Sequence, residues 1–238
     1  MRTIYMDCTS GVSGDMVLNA LIGLCDDPQN VRRQIAGIAE GIEIAAAACH
    51  LHHDHGHDHG CEGGHHGHRS YARVQEIIHT LDVDQEVKGT ALNIYSVVAA
   101  AESKVHEAPL DNLHFHEVGR NQAIANIVGV AFCINLCRAD RLICSEIRDG
   151  QGTVQCAHGV LEVPVPAVRA MLENCGLQYS QTEVEGEMVT PSGLAMVIGL
   201  GFATGEKPEG TPVRESEAKG RRDYGERGLG AFLYEQQE

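Results

Sequence analysis

The alternation of apolar and polar positions divides the chain into short strand-like runs and longer helical ones. Thr3-Ile4-Tyr5-Met6 is a short, mostly apolar run, the pattern of a buried strand. Asp7 to Asp15 is a small polar loop rich in Ser and Gly. From Asp15 to about Leu24 apolar residues recur at Val17, Leu18, Leu21, Ile22 and Cys25, the spacing of one helix face. Pro28 is suited to open a second helix, to about Glu40; Glu43 to Cys49 is alanine-rich and fits no single element. Ser70 is an expected N-cap for a helix carrying Tyr71, Val74, Ile77, Ile78 and Leu81. A longer helix is predicted from about Asp84 to Val105, and a turn from Leu110 to Glu117. Gly119 to Cys137 reads as a helix apolar on several sides, hence buried. Arg141 to Ile147 and Thr153 to Cys156 read as strands, with Gly150-Gln151-Gly152 as the turn between them. Pro164 or Pro166 opens a helix to about Cys175. Thr190-Pro191-Ser192 caps another, from Gly193 to Gly201. The tail from Pro212 to Leu233 has strand-like ends around a Gly/Arg-rich stretch, Gly220 to Gly230. Strands alternate with helices, which predicts an α/β (or α+β) fold with a mixed sheet and packed helices.

One segment breaks the pattern. His50 to His68 holds nine of the fourteen histidines and five glycines and has no hydrophobic period. It is expected to be a flexible, disordered loop inserted into one globular domain made of residues 1–49 and 69–238. Neutral imidazole is a good ligand for Ni²⁺, Cu²⁺ and Zn²⁺. His50, His52, His53, His55, His57, His59, His65, His66 and His68 are therefore candidate metal ligands, with a solvated low-complexity insert as the bland alternative.

Composition narrows the function classes. Of 238 residues, 18 are Lys or Arg and 33 are Asp or Glu, a formal charge of −15. That charge argues against nucleic acid or an anionic membrane as the main partner and favours cations. There is no Trp and aromatics are only 4%, so base-stacking platforms are not expected. No apolar run approaches the roughly 18 residues of a membrane span, and the start has no signal-peptide core. The nine cysteines are an odd number and form no C-x-x-C, which fits mostly buried thiols in a reducing, cytoplasmic compartment.

Other groups offer chemistry. His114 and His116 with Glu117 make a set suited to metal binding or acid/base work, or one ring is structural and the other exposed. Asp7, Ser10, Gly11, Gly14 and Asp15 form a turn between strand and helix that offers N–H groups to a phosphate, or its aspartates cap the turn and the helix. Thr190, Ser192 and Gly193 suit a phosphate or a simple cap. Cys156 with His158 makes a thiol/imidazole pair. Cys133 and Cys137, at i and i+4, read as core. Arg221, Arg222 and Arg227 with Tyr224 form the one local basic cluster, suited to a phosphate or carboxylate.

In order along the chain, YMDCTSGVSGDMVLNALIGL, the histidine-rich insert, RSYARVQEII, a helix ending ESKVH, HFHEVG, GQGTVQCAHGVLEVPVPAV and EGEMVTPSGLA closely resemble the LarC family of nickel-insertion proteins. The resemblance spans Ile4 to about Ala203. It implies insertion of Ni²⁺ into a pyridinium-3,5-bisthiocarboxylate mononucleotide, a CTP-dependent cyclometallation that bonds nickel to a ring carbon and two sulfurs. The product serves lactate racemase and related enzymes, so a lactate racemase-like apoenzyme is the implied client. The histidine loop then delivers nickel, the Asp7–Asp15 turn or the Thr190–Gly193 helix start cradles the nucleotide phosphate, and His114, His116, Glu117 or His158 takes the ring proton. Beside that family the chain stops near the end of the N-terminal region, which implies a separate CTP-binding C-terminal chain. Where the family carries two aspartates after HFHEVG, this chain has Gln122 and Asn126. That loss of charge keeps a second reading open, a nickel storage or delivery protein without chemistry. Monomer and homo-oligomer are both open.

Overall fold

The structure is a computed structural model that describes residues 1–48, 69–156, 159–222, 224 and 227–235. The histidine run from His50 to His68 and the candidate His158 lie outside the described residues. In chain order the elements are β1 (Arg2–Asp7), α1 (Gly14–Leu24), α2 (Pro28–Ala48), β2 (Arg69–Ser70), α3 (Tyr71–Thr80), α4 (Gln85–His106), β3 (His114–Phe115), α5 (Asn121–Cys137) and β4 (Arg141–Cys144). There follow β5 (Ile147–Gln151), β6 (Thr153–Cys156), β7 (Gly159–Glu162), α6 (Pro166–Leu172), β8 (Tyr179–Glu185), α7 (Pro191–Gly199), β9 (Ala203–Thr204), β10 (Arg214–Ala218) and β11 (Leu229–Glu235). The fold is mixed α/β, as the alternation of elements predicts.

The main sheet has the order β10-β11-β1-β4-β9. β1 is its middle strand. It pairs antiparallel with β11, Ile4 opposite Leu233 and Met6 opposite Ala231, and parallel with β4, Ile4 opposite Leu142. A central strand is covered on both faces, which is why Thr3, Ile4, Tyr5 and Met6 are all buried. α1 lies on β10 and β11 and meets α2, α5 and α7; α4 packs on α5, α6 and α7. Ile124, Ile127 and Val128 of α5 are fully buried, each contributing roughly 2 kcal/mol of burial free energy. β5 and β8 form a separate parallel pair, and β6 and β7 an antiparallel hairpin.

Several elements differ from the sequence reading, among them β3, β7 and β9, which it does not contain. α2 runs on through the alanine-rich segment to Ala48, because alanine is the strongest helix former and nothing polar interrupts it. Gly150 and Gln151 belong to β5 rather than to a turn. The strand there runs so close to the backbone of Val184 and Gly186 that any Cβ at Gly150 would overlap their carbonyl oxygens. β8 has no sequence counterpart, since YSQTEVE carries little apolar signal.

The loop after β1 is fixed by a parallel β-bridge between two backbone segments, Val12 beside Val189. Val12 N–H donates to Met188 O at 2.9 Å, and Thr190 N–H donates to Val12 O at 3.0 Å. Gly11 sits at φ +86° with its Cα against the Met188 carbonyl, a conformation and an approach that only glycine tolerates. Gly11→Ala is therefore expected to lower the unfolding free energy by about 2 kcal/mol. Gly37, exposed in α2 with no atom near its would-be Cβ, gives the opposite sign: Gly37→Ala should stabilise by roughly 0.5–1 kcal/mol. Urea unfolding of the two variants beside the parent checks both.

Candidate functional site

Two adjoining cavities open beyond the end of β1, of about 670 Å³ and about 540 Å³. Both fall in the roughly 300–1,000 Å³ range of small-molecule sites. They share the side chains of Asp15, Glu117, Glu187, Thr190, Arg221 and Arg222, so they are treated as two lobes of one site. Such a place, outside the carboxyl ends of parallel strands, is where open α/β sheets bind ligands.

Each wall has a local cause. Asp15 stands in the first turn of α1, where its Oδ1 accepts from the Ser13 hydroxyl at 2.9 Å. The segment bearing His116 and Glu117 is held from behind. The fully buried Tyr95 of α4 donates its hydroxyl to Val118 O at 2.9 Å, and Arg69 donates to Gly119 O at 2.9 Å and to Asn121 Oδ1 at 2.8 Å. Thr190 caps α7, accepting from Gly193 N–H at 3.2 Å. Glu187 is set by Asp149, whose side chain is fully buried. The Oδ1 of Asp149 accepts from the N–H groups of Gly150 at 2.8 Å and of Met188 and Val189 at 2.9 Å each, and its Oδ2 accepts from the Tyr179 hydroxyl at 3.2 Å. One carboxylate thus ties β5, β8 and the turn that carries Glu187.

The charges are opposed in pairs. Arg221 Nε lies 3.8 Å from Asp15 Oδ2, and Arg222 Nη1 lies 3.7 Å from Glu187 Oε2. Arg222 also donates to the Tyr224 hydroxyl at 3.4 Å. Burial pushes the Glu187 carboxyl up to about 7 against the pull of Arg222, and the charges of Asp149 and Glu117 push the same way. Burial likewise raises Asp149, with its three backbone donors opposing.

The sequence candidates divide. Ser10, Asp15, Glu117 and Thr190 line the first lobe; Gly14, Asp15, His116, Glu117, Cys156, Thr190 and Ser192 line the second. His116 lies beside His106, ring centres 6.4 Å apart. His114 is exposed on β3 opposite Ser70 and lines neither lobe. Asp7 also lies outside the lining; its Oδ1 accepts from the Thr9 N–H at 3.1 Å and hydroxyl at 2.6 Å, as the turn-capping alternative expects. Gly11 and Gly193 face backbone: a Cβ on Gly193 would come 2.5 Å from Val12 O. Their glycines answer to close packing. Cys133 and Cys137 are buried in α5. The neighbouring Cys25 sulfur and burial push the Cys137 thiol up. Among the described residues, no three His, Cys, Asp or Glu side chains converge as a metal site.

Sequence reasoning did not single out Glu187 or Asp149. Both are acids in polar segments, and only the three-dimensional fold buries them. The signal that was present is position: Glu187 lies three residues before Thr190 in EGEMVTPSGLA, and Asp149 immediately before Gly150.

The fold and site together define a mixed α/β scaffold with an acidic, arginine-rimmed double cavity. Residues 4–232 match the family model of nickel insertion proteins, and the chain belongs to that family. It is 35% identical over 242 residues to the pyridinium-3,5-bisthiocarboxylic acid mononucleotide nickel insertion protein of Acetivibrio thermocellus, covering 94% of this chain and 58% of the relative. Relatives of the same name from Alkaliphilus metalliredigens and Lactiplantibacillus plantarum are each 33% identical, over 93% and 99% of this chain and 61% and 62% of their own lengths. The chain therefore spans about three fifths of the curated relatives it matches. No solved structure matches it. No helix among the described residues is long and apolar enough to cross a membrane.

Two outcomes follow from the carboxylates. Asp149→Ala removes the acceptor of three N–H groups and should cost about 3 kcal/mol or more, read by urea unfolding. The Glu187 carboxyl titrates near 7 when folded and near 4.5 as a free group. Its contribution to stability is thus present below about pH 4.5 and lost as pH rises through 7. Glu187→Gln should accordingly gain on the parent between pH 4 and pH 8, by up to about 3 kcal/mol at roughly 1.4 kcal/mol per pKa unit. Thermal unfolding across that range measures it.

Proposed function

We propose that the double cavity is where Ni²⁺ replaces a ring proton of the pyridinium-3,5-bisthiocarboxylate mononucleotide. Family membership supports the reaction class. The observation that carries the placement is the acidic junction, where Asp15, Glu117 and Glu187 stand between the two lobes. Nickel is the substrate metal. The ring C–H bond breaks, its electron pair forms the C–Ni bond, and the proton leaves to a base; no electron is transferred. The substrate's two thiocarboxylate sulfurs supply soft donors to the metal. Glu187 is the base on this reading: a carboxyl titrating near 7 combines a useful basic fraction with proton affinity at neutral pH. Glu117, on the shared wall, and His116, in the second lobe, offer the proton a way out to solvent. Arg222 orients Glu187.

The relatives' names support insertion over nickel storage without chemistry. CTP enters, on this proposal, through a CTP-binding partner outside residues 1–238, and the product passes to a lactate racemase-like apoenzyme in the cytoplasm. The histidines from His50 to His68 collect Ni²⁺ ahead of the cavity, in one globular unit formed by the rest of the chain.

The decisive experiment incubates the chain with Ni²⁺, CTP, the mononucleotide and the CTP-binding partner, and follows metallated product by mass spectrometry. Product is expected, and Glu187→Gln should lower its rate by roughly 10²-fold or more; no product with the parent chain overturns the reading. Calorimetry with Ni²⁺ should show a lower stoichiometry after deletion of residues 50–68. Gln122 and Asn126 line the second lobe and hydrogen-bond each other at 2.9 Å. Replacing both with Asp returns two negative charges to that wall and should tighten Ni²⁺ binding in the same assay.

A further inference from the structure

The two lobes differ in chemistry. Lys219, Arg227 and Arg148 line the first lobe alone, and Arg221 and Arg222 stand at its junction with the second. In a chain of charge −15, five cations around one cavity are a local reversal of sign. They are not equally engaged. Arg221 and Arg222 oppose Asp15 and Glu187, and Arg148 Nε lies 3.1 Å from Glu146 Oε2. Among the described residues, Lys219 and Arg227 have no carboxylate within the 4.0 Å of an ion pair. Hydroxyls of Thr9, Ser10, Ser13 and Thr182 line the same lobe. Beside these cations, Gly228 N–H donates to Glu217 Oε1 at 2.8 Å, and Tyr224 packs on Gly186.

The second lobe is walled instead by Val105, Val118, Val154, Leu161, Val165 and Ala167, apolar surface suited to the flat face of a ring. A mononucleotide has the same two halves, a dianionic phosphate and a ring, joined by a sugar. Two cations with no carboxylate partner among the described residues, beside the Ser10 hydroxyl, match phosphate oxygens; the carboxylates at the junction match the positive charge of a pyridinium.

We propose that the first lobe is the phosphate subsite of the mononucleotide, with Lys219 and Arg227 as its principal cations, and that the second lobe holds the pyridinium ring. This rests on the function proposed above and assigns the substrate's orientation in the site. It also moves the phosphate away from the glycines of the Gly11 and Gly193 turns, which face backbone.

The test uses calorimetry of the whole chain with two probes, pyridinium-3,5-dicarboxylate mononucleotide and its dephosphorylated riboside. The Lys219→Ala/Arg227→Ala double variant should bind the mononucleotide at least tenfold more weakly, a loss of about 1.4 kcal/mol, and bind the riboside as the parent does. Leu161→Trp, which fills the second lobe, should weaken both probes alike. The subsite assignment is overturned if the double variant binds the mononucleotide like the parent or loses both probes equally. Unchanged binding of both probes by Leu161→Trp overturns the ring's placement. If the parent binds neither probe, the function reading itself falls and takes the orientation with it.

Discussion

The cavity depends on one buried carboxylate. Asp149 lies in a strand of otherwise ordinary sequence, yet its Oδ1 collects three backbone N–H groups from two separate segments. A charged group stripped of water is costly unless donors replace the lost hydration. Here the donors are the backbone of β5 and of the turn leading to α7, so satisfying the charge and closing the fold are the same event. The turn cannot drift without leaving Asp149 unpaired, and Glu187 is carried on that turn. The elevated proton affinity of Glu187 follows: it is held in a partly dry wall with Arg222 on one side and the charges of Asp149 and Glu117 on the other.

A second constraint acts at the same place. The chain after β1 and the chain before α7 run side by side as a parallel bridge, their backbones in hydrogen-bonding contact through Val12 and Val189. The bridge puts Asp15 at the start of α1 and Thr190 at the start of α7 side by side. Glycines 11 and 193 are needed because the two backbones leave no room for a Cβ. Two helix starts and one acidic turn are therefore brought together by sterics and backbone pairing, without the side chains of the site having to attract one another.

These causes explain what the sequence could disclose. The α-helices and β1 were legible, because burial writes a period into the apolar residues and β1 is covered on both faces. So were Ser10, Asp15, His116, Glu117, Thr190 and the arginine cluster, whose residue types advertise chemistry. β8 was not legible, since its pairing with β5 leaves most of its residues only partly covered. Asp149 and Glu187 were not legible either. An acid between polar neighbours looks like surface, and its burial is decided by segments far along the chain: Asp149 meets Val189 across 40 positions. The small residues of the Gly11 and Gly193 turns drew a phosphate reading from their local pattern, but the same pattern is what close backbone pairing requires. The resemblance in motif order reached the family because it uses the order of blocks, which survives where single residues are ambiguous.

The electrostatics of the site join binding to proton acceptance. Arg222 lowers the proton affinity of Glu187, and Arg222 also faces the first lobe. An anion that takes up the arginine's hydrogen-bonding capacity leaves Glu187 less compensated and makes it the stronger base. A cation at the junction acts in the reverse direction. The opposed pairs Arg221–Asp15 and Arg222–Glu187, at 3.8 and 3.7 Å, are longer than charge-assisted hydrogen bonds, so neither arginine is locked onto its carboxylate. Tight bidentate pairs would lock these charges onto one another.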